Sequence, residues 1–406
     1  MPRIACLAPL VLASLLILGS AGGAMAQGVE VTQLAAPDAF TTPGRATGLP
    51  PSLWRGASAE TIKAVLPLLG AKPLSPAAAA LARRILATGA PGPEGVSRDP
   101  ALAAARANAL MFQGDPKAAA AVLTHAPGLD RSSDLARAAA ETALLTGDET
   151  RACRIGEALT VGRDETYWLK LRAYCQAIAG QTAQAQLTFE LVQAQVKDPV
   201  FTRLMGAKLS GAGNPGAASL RNGLDYALSH SLGLDLAAAK PSPAVAAALA
   251  GDPTEPKFDA LMASPEFGEL AGQVASGKPA TSGAFMAAMT ATSNEGAKGA
   301  ATARPQAVTL LVMSLDAETS TADLDRLASS TLPEGKAPLG RNLALEVAAG
   351  RKLVGQTALL ALWTCAEAGP SGLAAGDRVR IVRALHAVGL DRDARAFVLE
   401  GLASLK

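Results

Sequence analysis

Three glycine turns at equal intervals constrain the fold of this chain more than any other feature. Gly114, Gly147 and Gly180 lie 33 residues apart, and each is followed by a polar residue. An alanine stands seven residues before each glycine, at positions 107, 140 and 173, and another stands five residues after it, at 119, 152 and 185. Because glycine ends helices and alanine lets two helices cross closely, each unit is predicted to be helix, turn, helix.

The composition favours the same architecture. Of the 406 residues, 49% are hydrophobic but only 3% are aromatic, so alanine, leucine and valine carry the apolar content. Alternating β-branched runs of the kind that form strands are scarce, and we therefore predict an all-α chain. The formal net charge is +2, with no basic cluster, which argues against nucleic-acid binding and against a polybasic membrane patch.

The first 26 residues are predicted to be a cleaved signal peptide. Arg3 precedes a nine-residue apolar run over 10–18, and Ala24-Met25-Ala26 forms an A-x-A cleavage site. An uncleaved amino-terminal anchor is the alternative. No later segment is an uninterrupted apolar stretch of membrane-spanning length. The mature chain is therefore predicted to be periplasmic or secreted, with no stable membrane span after cleavage.

The glycine-turn units resemble the tetratricopeptide repeat, over roughly residues 99–195. The shared pattern is a Gly-Asp turn with alanine five residues later and a small residue seven before. Where the family places a later aromatic residue, the third unit has Phe189, whereas the first two have Leu123 and Gly156. A Sel1-type hairpin array is a close alternative, and an irregular helical domain with accidental spacing is another. The resemblance implies an α-solenoid of antiparallel helix hairpins.

The repeat region and its flanks divide the chain into parts. After the leader, we expect a flexible lead-in over 27–57 and tetratricopeptide-like hairpins over 58–236. We then expect an irregular region rich in proline, glycine and alanine, with short helices, over 237–304, followed by carboxy-terminal helical hairpins over 305–406. These last hairpins either continue the superhelix or form a second layer.

The repeat frame also suggests a disulfide. Cys153 falls in the second helix of unit two, and Cys175 falls in the first helix of unit three. Sequential helices of a solenoid pack side by side, within the separation that a disulfide needs. The alternative is two buried free cysteines. Cleavage of the signal peptide would remove Cys6, so Cys365 is the cysteine left over, and we predict that it is a buried thiol.

The tetratricopeptide resemblance further implies a binding surface, because the first helix of each unit lines the concave face in that family. Transferring this pattern by the turn glycine selects six residues, namely Asn108, Arg137, Glu141, Tyr167, Lys170 and Tyr174. A mixed polar surface with tyrosines suits a peptide or protein partner. The alternative is that some of these side chains only solvate their helices. Trp168 is expected to pack inside the hairpin.

Motifs for catalysis or cofactor binding are missing from the sequence. The stretch GAGNPG, residues 211–216, matches G-x-G-x-x-G, but it follows a predicted helix, and Pro215 removes a backbone amide. The three histidines are scattered, and neither H-E-x-x-H nor G-x-S-x-G occurs. We therefore predict no cofactor, no metal and no enzymatic activity, and a role as a protein-binding or assembly scaffold in the cell envelope. The alternative is an enzyme acting on polysaccharide or peptidoglycan, built on a helical scaffold.

Overall fold

A computed structural model gives the fold of the chain over residues 40–93, 96, 99–124, 126–211, 214–251, 253–293, 300–315, 321–332 and 335–406. Over these residues the chain is helical, and they contain no strand. The predicted signal peptide and residues 27–39 of the predicted lead-in lie outside these ranges. None of the helices in the described part of the chain has both the length and the apolar character needed to span a bilayer.

The helices of the first half follow one another with short connections. They are α1 (Ala59–Leu69), α2 (Pro76–Ala87), α3 (Pro100–Phe112), α4 (Pro116–Val122), α5 (Ser133–Leu145), α6 (Glu149–Ala158), α7 (Thr166–Ile178), α8 (Thr182–Gln195), α9 (Pro199–Ser210) and α10 (Gly223–Ser231). Several begin at a side chain that accepts a hydrogen bond from the first turn, such as Ser58 before α1 and Asp198 before α9.

The second half of the chain is helical as well. Its helices are α11 (Pro243–Leu249), α12 (Asp259–Met262), α13 (Gly268–Ser276), α14 (Ser282–Thr292), α15 (Ala300–Met313), α16 (Thr321–Ala328), α17 (Leu339–Gly350), α18 (Val354–Ala368), α19 (Ala375–Ala387) and α20 (Asp391–Ala403).

The three equidistant glycines lie at the bends between α3 and α4, α5 and α6, and α7 and α8. Their φ angles are +88°, +79° and +73°, in the left-handed region that favours glycine. At each bend the next residue donates its backbone N–H to the carbonyl five residues back, at 2.8 to 2.9 Å. The alanines of both columns are completely buried. Each glycine therefore reverses the chain, and the alanines let the paired helices approach.

The same bend recurs twice near the carboxy terminus. Gly389 joins α19 to α20 with a φ of +79°, and Leu390 N–H donates to the Leu385 carbonyl at 2.9 Å. Between α17 and α18 the left-handed position is held by Lys352, with a φ of +56°. There Leu353 N–H donates to the Ala348 carbonyl at 3.0 Å. A lysine in this position escapes a search for glycine turns.

Because a side chain in the left-handed region is strained, we expect Lys352→Gly to stabilise the protein by about 1 kcal/mol. Urea unfolding followed by circular dichroism measures the change. Gly147→Ala is the matched control, since a β-carbon there meets no atom within 4 Å and the positive φ alone opposes it. It should lower stability by a similar amount. A loss of stability in Lys352→Gly would contradict this account of the bend.

Helices α1 and α2 pack against helices from the carboxy-terminal part of the chain. Helix α1 lies on α3 and α18, and α2 lies on α18 and α20. The Glu400 carboxylate accepts the Ala77 backbone N–H at 2.8 Å in the first turn of α2, and Arg84 forms an ion pair with Asp393. Helices α18 and α20 therefore contact the amino-terminal helices α1 and α2.

Residues 40–57 are the described part of the lead-in predicted over 27–57, and several of them pack in the apolar core. Phe40, Leu53 and Trp54 are buried, with the rings of Phe40 and Trp54 edge to face at 5.9 Å. The backbone is also held, since the Ala90 N–H donates to the Phe40 carbonyl at 2.9 Å. The segment lacks helical periodicity because it is an irregular strap whose few large apolar side chains enter the core.

The region over 237–304 is more regular than its composition indicated. It contains α11 to α14, and α15 begins at Ala300 and runs through Pro305, across the predicted boundary. The stretch around Phe285 is an eleven-residue helix, α14. Abundant alanine explains the difference, because its helix propensity outweighs the scattered glycines.

Helix α5 stands between two apolar cores. Its Leu135, Ala138 and Ala139 pack with the amino- and carboxy-terminal hairpins, whereas Ala140 and Leu144 pack with α6 to α10. Helix α10 returns to lie against α5. The approach is close, since a β-carbon on Gly223 would be 2.9 Å from the Glu141 carbonyl oxygen. Both faces of α5 are thus engaged, which positions the surface described next.

Candidate functional site

A groove of about 530 Å³ crosses α1, α3 and α5, and the last two are the first helices of the packed pairs α3–α4 and α5–α6. Three of the six predicted surface residues, Asn108, Arg137 and Glu141, line it. The other lining residues are mostly small or apolar, namely Leu66, Pro67, Gly70, Ala101, Ala104, Ala105, Asp134 and Ala138. We call this surface the first-helix groove.

The floor of the groove is formed by one exposed stripe on α3 and another on α5. Ala101 and Asn108 are exposed on α3, with half-buried Ala105 between them, so a ligand can approach the backbone closely. On α5, Asp134 and Arg137 are exposed and oppositely charged. Spacings of three and four residues give each stripe one helical face. This spacing is the sequence signal for Ala101, Ala105 and Asp134, which the transfer by turn glycine missed.

Arg137, Tyr167 and Glu141 form a cluster at one end of the groove. The Arg137 guanidinium lies over the Tyr167 ring, 4.7 Å from its centroid. Oε2 of Glu141 accepts the Gly223 backbone N–H at 2.5 Å. Oε1 of Glu141 and the Tyr167 hydroxyl are buried without a hydrogen-bond partner among the described residues. The cluster therefore joins α5, α7 and α10 through buried polar groups.

Burial sets the protonation of this cluster. Desolvation raises the pKa of Glu141, although the hydrogen bond from Gly223 and the charge of Arg137 oppose the shift. The pKa of Tyr167 is raised well above its ordinary value, first by desolvation and then by the nearby Glu141 charge. An ionised Glu141 is therefore costly in the folded state.

We expect Glu141→Gln to stabilise the protein near pH 7.5, on the order of 1 kcal/mol, and to have no effect below the ordinary pKa of glutamate. The folded state binds the Glu141 proton more tightly than the unfolded state, so stability falls as pH rises from the ordinary pKa to the raised one. Glutamine keeps the acceptor for Gly223 without the charge. Urea unfolding at pH 4 and pH 7.5 measures this, with exposed Glu157→Gln as the control. A gain for Glu141→Gln that is equal at both pH values would contradict the assignment.

Lys170 is engaged in an ion-pair network instead of facing the groove. Its ammonium lies 2.7 Å from Asp198 and over the Phe201 ring at 5.3 Å. Asp198 also binds Arg221, at 3.1 Å. Desolvation alone would raise the pKa of Asp198, but the hydrogen bonds from Lys170 and Arg221 hold it well below its usual range. Lys170 therefore ties α7 to the start of α9.

Tyr174 is completely buried, so in this structure its side chain does not contribute to an exposed face. Burial, followed by the charge of Glu149, raises its pKa well above the ordinary value. Tyr174 packs in the apolar cluster that α5 to α10 form, and the repeat pattern alone did not indicate this burial. Trp168, by contrast, packs inside as expected, and its indole N–H donates to the Ser133 hydroxyl at 2.9 Å.

The predicted disulfide between Cys153 and Cys175 is confirmed, with α-carbons 5.6 Å apart. It joins α6 to α7, and both cysteines are half-buried. Cys365 is a free thiol buried in α18, as expected, and desolvation raises its pKa strongly.

The other sequence candidates for chemistry are the GAGNPG stretch and the three histidines. Gly211, the first residue of GAGNPG, ends α9 in a left-handed conformation, so a helix precedes the motif rather than a strand, and residues 212–213 lie outside the described ranges. His230 stacks on Tyr226, His386 bonds to Asp391 at 2.6 Å, and His125 lies outside the described ranges. Within the described ranges, no three His, Cys, Asp or Glu side chains are grouped to hold a metal.

Comparisons with known proteins set no further constraint on this surface. No protein-family model, no curated protein and no solved structure matches the chain.

Proposed function

We propose that this chain is an exported helical-repeat protein that acts as a protein-binding or assembly scaffold in the cell envelope. In this proposal the hairpins stack as a tetratricopeptide-like solenoid, and the first-helix groove receives a peptide segment of a partner. The observation that carries the proposal is that the groove is lined by α3 and α5, the first helices of two successive packed pairs, together with α1. The first helices of the hairpins line the concave surface in the tetratricopeptide family.

The chemistry of the groove suits a polypeptide ligand. The small side chains of Ala101 and Ala105 leave room for a backbone or an apolar side chain. The exposed Asn108 amide can donate to a peptide carbonyl and accept from a peptide N–H. Exposed Asp134 and Arg137 add one charge of each sign, which would fix the direction of the ligand.

The disulfide supports the proposed location. Stable disulfides are typical of oxidising compartments such as the periplasm, and the leader-like residues 1–26 would direct the chain there. The absence of matching proteins neither supports nor opposes this location.

The hydrolase alternative finds less support in the groove. Its two acidic side chains, Asp134 and Glu141, are two helical turns apart on α5, a rise of about 10 Å. Paired glycosidase carboxylates are about 5 to 9.5 Å apart. One oxygen of Glu141 is also occupied by the Gly223 amide.

Site-specific photocrosslinking in the source cells tests the scaffold proposal. A photoreactive residue at Asn108 should give a discrete protein adduct, identified by mass spectrometry, and a matched probe at Gln193, exposed on α8, should not give it. Ala101→Trp, placed at an exposed groove position, should reduce the Asn108 adduct about tenfold with unchanged melting temperature. Identical adducts from both positions, or an adduct that Ala101→Trp leaves intact, would contradict groove binding.

Fractionation tests the location separately. We expect the protein in the periplasmic or secreted fraction, with an amino terminus at Gln27 by intact-mass measurement. A chain that retains residues 1–26 and stays with the membranes would instead support the anchor alternative.

A further inference from the structure

A second cavity lies between α6 and α7, apart from the first-helix groove, which α1, α3 and α5 line. Its volume is about 480 Å³, and it shares no lining residue with the groove. The Cys153–Cys175 disulfide forms part of its wall and fixes the two helices to each other. We call this cavity the α6–α7 pocket.

At one position that lines the pocket, the second repeat unit lacks the large side chain that the other two units carry. Nine residues after the turn glycine, units one and three carry Leu123 and Phe189, which are 1% and 6% exposed. The corresponding residue of unit two is Gly156, which lines the pocket. A β-carbon there would lie 3.4 Å from Leu171 Cδ2 and 3.7 Å from Trp168 Cε3, in ordinary contact. The side of the pocket at Gly156 is therefore bordered by Leu171 and Trp168, which are themselves almost completely buried.

Three arginines surround the same space. Arg154 from α6, Arg163 from the connecting loop and Arg172 from α7 all line the pocket, and none forms an ion pair with a described carboxylate. Arg172 donates instead to the Arg163 carbonyl, at 3.2 Å. Glu157 is the one acidic residue of the lining. The positive charge of the pocket is therefore largely uncompensated.

The arginines are close enough to disturb one another. Desolvation lowers the pKa of Arg172, and the charge of Arg163 lowers it further. An anion bound between them would offset both effects, because it restores a hydrogen-bonding partner and neutralises the repulsion.

We propose that the α6–α7 pocket binds an anionic ligand that carries an apolar group. An apolar group the size of a leucine or phenylalanine side chain would lie in the α6–α7 pocket next to Gly156. Adjacent carboxylates of the ligand would bind Arg154, Arg163 and Arg172. An acidic peptide segment and a free aryl-alkanoate share this chemistry. The site is independent of the scaffold proposal, since it uses neither the groove nor its residues.

Isothermal titration calorimetry on the mature chain tests the pocket with defined probes. The peptide probe is the acetylated and amidated sequence Gly-Glu-Phe-Glu-Gly, and the small-molecule probe is 3-phenylpropanoate. Replacing both glutamates of the peptide by glutamine, or its phenylalanine by alanine, should each weaken binding about tenfold. Binding should also weaken as salt is raised. Saturable binding of the peptide alone, or of phenylpropanoate alone, supports the pocket and identifies the source of the ligand.

Substitutions in the chain separate the pocket from nonspecific attraction. Gly156→Leu should abolish binding without lowering the melting temperature, because a β-carbon fits and leucine favours a helix over glycine. Arg172→Gln should weaken binding about tenfold, whereas Arg131→Gln, at an arginine 76% exposed outside the pocket, should not. The proposal is overturned if neither probe binds, if the glutamine peptide binds equally well, or if Gly156→Leu keeps the original affinity. Loss of this site would leave the crosslink at Asn108 unchanged.

Discussion

Replacing Arg106 by leucine is expected to lower the free energy of unfolding by about 3 to 5 kcal/mol. The Arg106 side chain is completely buried in α3, and its guanidinium donates to the carbonyls of Leu86 and Thr88 at 2.7 and 3.0 Å. It also donates to the Thr42 carbonyl at 3.3 Å and lies over the Phe40 ring. Leucine would leave these buried carbonyls without donors, and such orphaned groups are costly.

Two control variants make the Arg106 result specific. Arg106→Lys keeps the charge but not the planar fork of donors, so we expect an intermediate loss. Arg131→Leu removes an exposed arginine and should change stability by less than about 0.5 kcal/mol. Urea unfolding followed by circular dichroism ranks the three variants. If the free energy of unfolding of Arg106→Leu is within about 1 kcal/mol of the original value, Arg106 is not the link between α3 and the 40–57 strap.

Removing the Cys153–Cys175 disulfide should lower stability by about 3 kcal/mol, because the bond closes a loop with a sequence separation of 22. The double variant Cys153→Ser, Cys175→Ser and the reduced original protein should therefore unfold at similar urea concentrations, both below the oxidised protein. Helices α6 and α7 would remain in contact through Ala152, Trp168 and Leu171. We therefore expect the double variant to fold, with a lower free energy of unfolding.

Reductant supplies the control for the disulfide. It should lower the stability of the original protein and leave the double variant unchanged, since Cys365 is a buried free thiol in both. Titration with a thiol reagent under native conditions should detect no reactive Cys365, and unfolding should expose it. Equal sensitivity of the double variant to reductant would rule out this bond as the source of the effect.

Local patterns made the hairpins predictable. Left-handed glycines at 114, 147 and 180, together with buried alanines on either side, specify a bend and a close helix pair within about thirty residues. The disulfide followed from the same frame, because it joins consecutive helices. Lys352 adopts the same bend without glycine, and its ammonium donates a hydrogen bond to the Ala387 carbonyl.

Long-range packing accounts for what the sequence left open. Nothing in the pattern around Gly223 indicates that α10 would return onto α5, since the fit depends on the shape of the α5 surface near Glu141. Tyr174 is buried in the cluster that α5 to α10 form, whereas Asn108 and Arg137 line an open groove. The small residue at position 156 was visible in the repeat pattern, but only the structure shows that it lines a pocket beside Leu171 and Trp168.

The contact of α2 with α18 and α20 affects how the chain acquires its stability during synthesis. The hydrogen bond between Ala77 and Glu400 spans 323 residues, and the ion pair between Arg84 and Asp393 spans 309. During synthesis, α2 therefore lacks these contacts until α18 and α20 have emerged. Contacts between residues so far apart in the sequence form slowly. A nascent chain, or one cleaved near its carboxy terminus, would expose apolar helix faces to chaperones and proteases.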